Sequence, residues 1–371
     1  MGEAMVNNGM YDVGFRYINL DDCWLACNRS VNGSLYAEPT RFPNGIASTI
    51  EYIHNIKTSG DPLKFGLYTD YGTHTCSGGH RDGCKPPGLY GHYTQDAITL
   101  ASWQVDFIKL DDCNKPSNES SESLNTQASM AFNNTGRHIL LELDGTYALP
   151  APYYVTALGQ AFKIVPDHSD SWASTKGVFG YIIRQNVSNI SQSYGWAYFD
   201  FLMTGGQGCS STYNNDEYLH CPGQTDVEYM SEFAIYAIAG SPLIVATDIR
   251  NMTDIMKKVL LNDEIIAVNQ QDSTPVGNLL YYWSCDSKTK DVCQVWTRKL
   301  QDGSIAVCAL NIDDESHGIK IEFDRLNMNW DNNTKVNIRD LWEHTNIGSF
   351  IGSYEPEIVP HGNFFGKLTV A

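Results

Sequence analysis

The chain has 371 residues, 42% of them hydrophobic, enough for a large core and for more than one small domain. Its formal net charge of −18 argues against nucleic acid or an anionic membrane as a partner, and no apolar stretch is long enough to span a bilayer. The same acidity suits work at low pH, where partial protonation relieves self-repulsion.

The opening segment MGEAMVNNGMYDVGF reads as the second half of a helix running straight into a strand. From there, seven short, β-prone apolar runs each stop at or beside an aspartate. They are YINLDD (Asp21, Asp22), FGLYTD (Asp70), FIKLDD (Asp111, Asp112), ILLELD (Asp144), FKIVPD (Asp167), WAYFD (Asp200) and PLIVATD (Asp248). The runs are too short for helices and too continuously apolar for one-sided antiparallel strands, so strands buried on both faces are expected.

Between them, GIASTIEYIHNIKTSG places Ile46, Ile50, Ile53 and Ile56 at steps of three and four, and QDAITLASWQVD, TDVEYMSEFAIYAIAG and MTDIMKKVLLNDEIIAVNQQ have similar periods. Strand alternating with helix implies βαβ units, and the expected fold is a (β/α)8 TIM barrel with its site at the carboxyl ends of the strands. Any one aspartate after a strand is ordinarily a helix N-cap or a turn residue, but seven in succession favour a site. Seven strands are visible, so the first barrel strand is expected to lie upstream of Met1, and without it the barrel is expected to be poorly stable.

Composition shifts near residue 275. After QQDSTPVGN come LLYYWSC, CQVWTRKL, SIAVCALNI, GIKIEF, KVNIRDLW and FFGKLTV with polar turns between them. Residues 1–275 are therefore expected to form the barrel and 276–371 a C-terminal antiparallel β domain of sandwich type.

Eight Asn-x-Ser/Thr sequons, at Asn28, Asn32, Asn118, Asn133, Asn186, Asn189, Asn251 and Asn332, point to a glycoprotein made in the secretory route. The ten cysteines agree: Cys209 with Cys221 and Cys285 with Cys293 would each close a small loop, and Cys76 and Cys113, each just after a strand end, can meet across the mouth. Cys308, inside SIAVCALNI, reads as a buried thiol. No zinc-type Cys/His spacing occurs, so no metal and no cofactor is expected.

Two carboxylates facing each other across a pocket are the machinery of glycoside hydrolysis, and a mouth rich in Asp, Tyr and Trp suits a neutral sugar. YINLDDCW, GLYTD with TCSG, and FIKLDDC occur in this order, and the likeness continues through VPDHSDSW, TGGQGC and AGSPLIVATDIR into the β domain. These motifs resemble those of the α-galactosidases of glycoside hydrolase family 27, and the resemblance covers nearly the whole chain.

By that resemblance Asp111 is the nucleophile, Asp167 the general acid/base, and Lys109 a neighbouring cation that keeps Asp111 ionised and contacts the sugar. Asp21 and Asp22 match the pair that binds the 4- and 6-hydroxyls, Tyr68 and Asp70 match the family's Tyr-x-Asp, and Cys76–Cys113 matches its disulfide at the site. Cys113 and Asp200 are counted with the sugar-binding residues, whereas Trp24 is expected to be a packed wall.

Three departures stand out. Lys163 replaces the family's arginine four residues before the acid/base; Leu141-Glu142-Leu143-Asp144 replaces Ser-Cys-Glu-Trp; and Leu143 and Gly159 occupy the positions of a family disulfide. Asp144 is aligned with the 2-hydroxyl contact, with Glu142 the alternative if the register is off by two, and an acidic group there favours galactose over N-acetylgalactosamine. Cys27 and Cys84 lie in loops on one face and can pair, and Cys23 is expected to pair with an upstream cysteine.

The resemblance thus implies a secreted or lysosomal/vacuolar retaining exo-glycosidase acting on terminal α-galactose of oligosaccharides, galactomannans or glycolipids, with a homodimer as the assembly to test. A β-L-arabinopyranosidase or α-N-acetylgalactosaminidase of the same fold, and a non-catalytic galactose-binding barrel, are the alternatives.

Overall fold

A computed structural model describes residues 1–77, 83–206, 221–272, 274–285 and 293–371. By their internal contacts these fall into two compact units, 1–164 and 165–371.

The first unit carries five strands in chain order: β1 (Tyr17–Leu20), β2 (Lys64–Asp70), β3 (Phe107–Asp111), β4 (Leu140–Leu143) and β5 (Ala161–Lys163). Each pairs in parallel with the next, with Tyr68 beside Lys109 and Lys109 beside Glu142. The crossovers are helical, as the period required: Gly45–His54 buries Ile46, Ile50 and Ile53. That helix stops one residue before Asn55, so Ile56 lies outside it, half-buried.

β2 to β5 are buried almost throughout, the expectation for strands covered on both faces. β1 departs from it. None of its four residues is buried, and among the described residues it pairs only with β2.

The second unit begins with a helix Trp172–Gln185, capped by the Ser171 hydroxyl accepting from the Ser174 N–H, followed by strand β6 (Trp196–Tyr198). Thr225 and Glu228 form a reciprocal capping box that starts the helix Asp226–Ile238, ten of whose thirteen residues are buried. Two expectations fail here. PLIVATD forms no strand: Val245 makes a single parallel bridge with Leu202, flanked by irregular backbone. The segment MTDIMKKVLLNDEIIAVNQQ is two helices, Asp254–Leu260 and Asp263–Asn269, because the Asn262 side chain accepts from the Ile265 N–H and starts a second helix where the period alone ran on.

Beyond them, six antiparallel strands lie in the order Thr345–Ile351, Lys335–Asp340, Asn363–Val370, Ile305–Asn311, Cys293–Lys299, Asn278–Trp283, beside two small two-stranded sheets. Val295, Val307, Ala309, Ile338, Phe364 and Leu368 belong to their shared core. Cys308 is fully buried within this sheet, and burial pushes its thiol well above the usual range.

Candidate active site

The parallel register of the first unit gathers carboxylates at one end. β2 ends on Asp70 and β3 on Asp111, directly paired; Asp21 follows β1 and Asp144 follows β4.

Asp111 is held by two donors: the Tyr68 hydroxyl reaches Oδ2 at 2.7 Å and the Asp112 N–H reaches Oδ1 at 2.9 Å. Its carboxyl is pushed up to about 6 by burial and by the charge of Asp144, against the pull of Tyr68, the Asp112 N–H and Lys109. Tyr68 is buried, and burial together with Asp111 raises its phenol far out of reach of neutral pH, so it stays a donor. Asp70 is fully buried and pushed up to about 9, chiefly by burial, although it accepts N–H groups of Gly72 at 2.5 Å and Cys113 at 2.8 Å.

Two lysines thread these carboxylates together. Lys109 Nζ lies 3.1 Å from Asp21 and 3.5 Å from Asp144, and Lys163 Nζ lies 3.3 Å from the same oxygen of Asp144. Burial opposes the charge on Lys109, but Asp21, Asp144, Glu142 and Asp111 more than restore it, so its ammonium is held strongly protonated. Lys109 also sits 5.6 Å from the centre of the Tyr68 ring. Asp144 and Lys163 are buried and Asp21 is exposed, so the chain Lys163–Asp144–Lys109–Asp21 runs from the interior to the mouth. Glu142, the alternative to Asp144, is buried on β4.

Asp22 is half-buried, its Oδ2 accepting the Ser77 N–H at 2.8 Å. Cys76 and Cys113 are bonded to each other, and the Cys76 sulfur lies 3.0 Å from Asp111 Oδ2. Asp70, Cys76 and Cys113 come close enough to suggest a metal site among the described residues, but a sulfur in a disulfide is not the thiolate that a metal takes. Trp24 is a packed wall, buried against Trp103 and donating to the Tyr68 carbonyl at 2.8 Å.

In the second unit, Asp167 is exposed four residues after β5. Asp200 is buried, adopts a left-handed φ of 69°, and accepts the His168 N–H at 2.6 Å. Asp170 accepts from the Tyr229 hydroxyl and the Gly223 N–H, both at 2.8 Å.

Cys27 pairs with Cys84, and Cys285 with Cys293. Cys221 is disulfide-bonded, while its expected partner Cys209 lies outside the described residues. Cys23 is a free, exposed thiol. Leu143 and Gly159 are neighbours as the alignment required, since a β-carbon on Gly159 would meet Leu143 Cγ at 2.8 Å. Asp112 stood among the strand-end aspartates with no role assigned to it, and nothing in the sequence singled out Gly145. Asp112 is half-buried and raised by burial and by Asp144, and it lies where any β-carbon on Gly145 would fall, at 2.1 Å. With a φ of 69° as well, position 145 demands glycine.

Strand-end carboxylates in a chain that continues into an antiparallel β domain are the build of a (β/α)8 glycosidase with a C-terminal β sandwich. The family model described as "Alpha galactosidase A" matches residues 1–271, and that of the "Alpha galactosidase C-terminal beta sandwich domain" matches 290–368. The chain belongs to this α-galactosidase family, and is a glycoside hydrolase. It is 33% identical to the probable α-galactosidase of Dictyostelium discoideum over 99% of this chain and 86% of that one. Its fold is similar to that of α-galactosidase I from Mortierella vinacea, with a TM-score of 0.83 and 25% identity over 100% of this chain and 91% of the other. A β-L-arabinopyranosidase from Geobacillus stearothermophilus shares the fold, with a TM-score of 0.79 and 19% identity over 100% of this chain and 93% of that one.

Proposed function

We propose that this enzyme removes terminal α-D-galactosyl residues by a retaining double displacement, with Asp111 as nucleophile and Asp167 as general acid/base. The observation that carries the reading is the environment of Asp111. Its carboxylate ends a strand, its two oxygens are oriented by the Tyr68 hydroxyl and a backbone N–H, and Lys109 favours its ionised form.

In the first step Asp111 bonds to the anomeric carbon while the glycosidic C–O bond breaks, and the departing oxygen takes the proton of Asp167. In the second, water gives a proton to Asp167 and its hydroxyl to the anomeric carbon, releasing Asp111 as carboxylate and galactose with its α configuration. Asp21 and Asp22 bind the axial 4-hydroxyl and the 6-hydroxyl, so a sugar presenting the 4-hydroxyl equatorially leaves a carboxylate that the bound ring covers without its partner. Lys109, with Asp144 and Lys163 behind it, holds the 2-hydroxyl side, and Asp144 leaves little room for an acetamido group.

The catalytic domain is read as 1–275 and the β domain as 276–371, in keeping with family matches that stop at 271 and resume at 290. Secretion or delivery to a lysosome or vacuole fits the disulfides and the exposed asparagines of all eight sequons. Among the described residues no helix is long and apolar enough to cross a membrane.

The test is hydrolysis of p-nitrophenyl α-D-galactopyranoside beside its β-L-arabinopyranoside, α-N-acetylgalactosaminide and α-glucoside counterparts, with the anomer of the first-formed sugar read by NMR. Galactoside turnover releasing the α anomer supports the reading. A β product overturns the mechanism, and preference for another glycoside overturns the substrate.

A further inference from the structure

Directly after Asp167 in the chain, His168 and Ser169 are tied down from three segments. The His168 N–H donates to Asp200 Oδ2 at 2.6 Å, in the stretch after β6. Its ring Nδ1 lies 2.7 Å from Ser174 Oγ, on the helix Trp172–Gln185, and that hydroxyl oxygen also accepts the Ser169 N–H at 3.0 Å. Its ring Nε2 lies 2.7 Å from Glu232 Oε1, on the helix Asp226–Ile238, with both side chains wholly excluded from water. The other Glu232 oxygen accepts the Met203 N–H at 3.1 Å, returning to the stretch that holds Asp200.

These bonds form one directed chain. The Ser174 hydroxyl accepts from Ser169 and donates to Nδ1, and Nε2–H donates to Glu232, so each member is satisfied in one tautomer of the ring. A buried hydrogen-bonded pair adds little net stability, because desolvation offsets the attraction, yet losing one partner strands the other. Geometry is what such a pair supplies, and here it is supplied one residue from an exposed carboxylate.

We propose that His168 and Glu232 are positioning residues for Asp167, holding the backbone so that the carboxyl group meets the departing glycosidic oxygen. This rests on Asp167 being the acid/base. A displaced acid is felt only where the leaving group needs a proton, so the damage should scale with leaving-group basicity, which a general loosening of the fold would not do.

The experiment compares the whole enzyme with Glu232→Gln, His168→Gln and Asp167→Ala on two substrates: 2,4-dinitrophenyl α-galactoside, whose leaving group departs unaided, and methyl α-galactoside, whose leaving group needs the acid. Both positioning variants are expected to lose roughly 100-fold in kcat/KM on the methyl glycoside and less than about 5-fold on the activated one. An equal loss on both substrates, no loss in folded variants, or failure of both variants to fold marks the pair as structural and overturns the proposal. The Asp167→Ala control separates the two layers. If it shows no dependence on the leaving group, Asp167 is not the acid and the mechanism proposed above fails, taking this inference with it. If it shows the dependence and the positioning variants do not, only this inference fails.

Discussion

The two ends of the parallel strands in the first unit treat carboxylates in opposite ways. At the amino end one carboxylate, Asp106 just before β3, meets three donors: the Phe65 N–H at 2.9 Å, His54 Nε2 at 2.7 Å and Arg137 at 2.6 Å. Arg137 also caps the carbonyls of Gln104 and Val105, so the cluster ties β2, β3 and the entry to β4 together. At the carboxyl end Asp21, Asp22, Asp70, Asp111, Asp112 and Asp144 crowd together, Lys109 bridging Asp21 and Asp144 and Lys163 pairing with Asp144, and burial raises Asp70, Asp111 and Asp112. A satisfied cluster is a fastener, whereas a crowded one holds charge in a state the fold would sooner give up. The second kind of cluster is where chemistry is possible.

The sharpest way to break this contrast is Asp111→Asn. Removing the nucleophile should lower kcat/KM on the order of 10⁴-fold. The melting temperature should rise, because one of the crowded charges is gone while the amide oxygen still accepts the Asp112 N–H and the amide NH2 can donate to the Tyr68 hydroxyl oxygen, which rotates to receive it. A variant that keeps its activity, or melts lower, would show that Asp111 belongs to the structure and not to the reaction.

Arg137→Met at the other end should invert the pattern. It leaves Asp106 with fewer donors and should cost about 2 kcal/mol in urea unfolding, with kcat/KM on p-nitrophenyl α-galactoside unchanged. Loss of activity at undiminished stability would erase the distinction between the ends.

The distinction was half legible in the sequence. Runs ending in aspartate gave β1 to β6 and placed Asp21, Asp70, Asp111 and Asp144 at one end, because a strand's end and its direction are local properties. What joins those residues is not local. The Lys163–Asp144 pair spans 19 positions and His168–Glu232 spans 64, and no periodicity encodes a partner at such separation. Local signals also misled where they competed: Asn262 stops one helix and starts another inside an unbroken apolar period, and the β-prone PLIVATD makes a single bridge. For Arg137 the sequence offered nothing, since an arginine after a helix is ordinary until Asp106 is seen beneath it.

A finer test separates the work of the Lys109 charge from packing. Asp111 must be ionised to attack, and with its carboxyl at about 6 the free enzyme should lose kcat/KM as pH falls through about 6. Lys109 lowers that value, so Lys109→Met should carry the acid limb upward, by about one pH unit for the loss of one nearby charge. An unmoved limb would mean that Lys109 serves only to bind sugar or to pack against Tyr68.

The smallest effect concerns the floor of the crowded end, between β4 and β5. There Leu143 lies against the bare α-carbon of Gly159, where the family resemblance implies a disulfide. A sulfur at position 143 would stand near the present Leu143 Cγ, and a β-carbon at 159 would lie 2.8 Å from it, close to the spacing between a disulfide sulfur and the partner's β-carbon. Gly159 has φ −136°, which any residue adopts, although its β-carbon would also lie 3.0 Å from the Leu141 carbonyl oxygen and 3.1 Å from that of Ala161, so the neighbouring backbone must give by a few tenths of an ångström. The double variant Leu143→Cys/Gly159→Cys should therefore oxidise spontaneously and melt a few degrees higher than its reduced form, with the 15-residue loop between the two positions shortening the unfolded chain's freedom. Because the bond would stand behind Asp144 without touching Lys109 or Asp111, kcat/KM should hold within about twofold. A drop in activity on oxidation, reversed by dithiothreitol, would show that the crowded end needs the looser packing of leucine on glycine, and that the strain of its charges is accommodated by movement of β4.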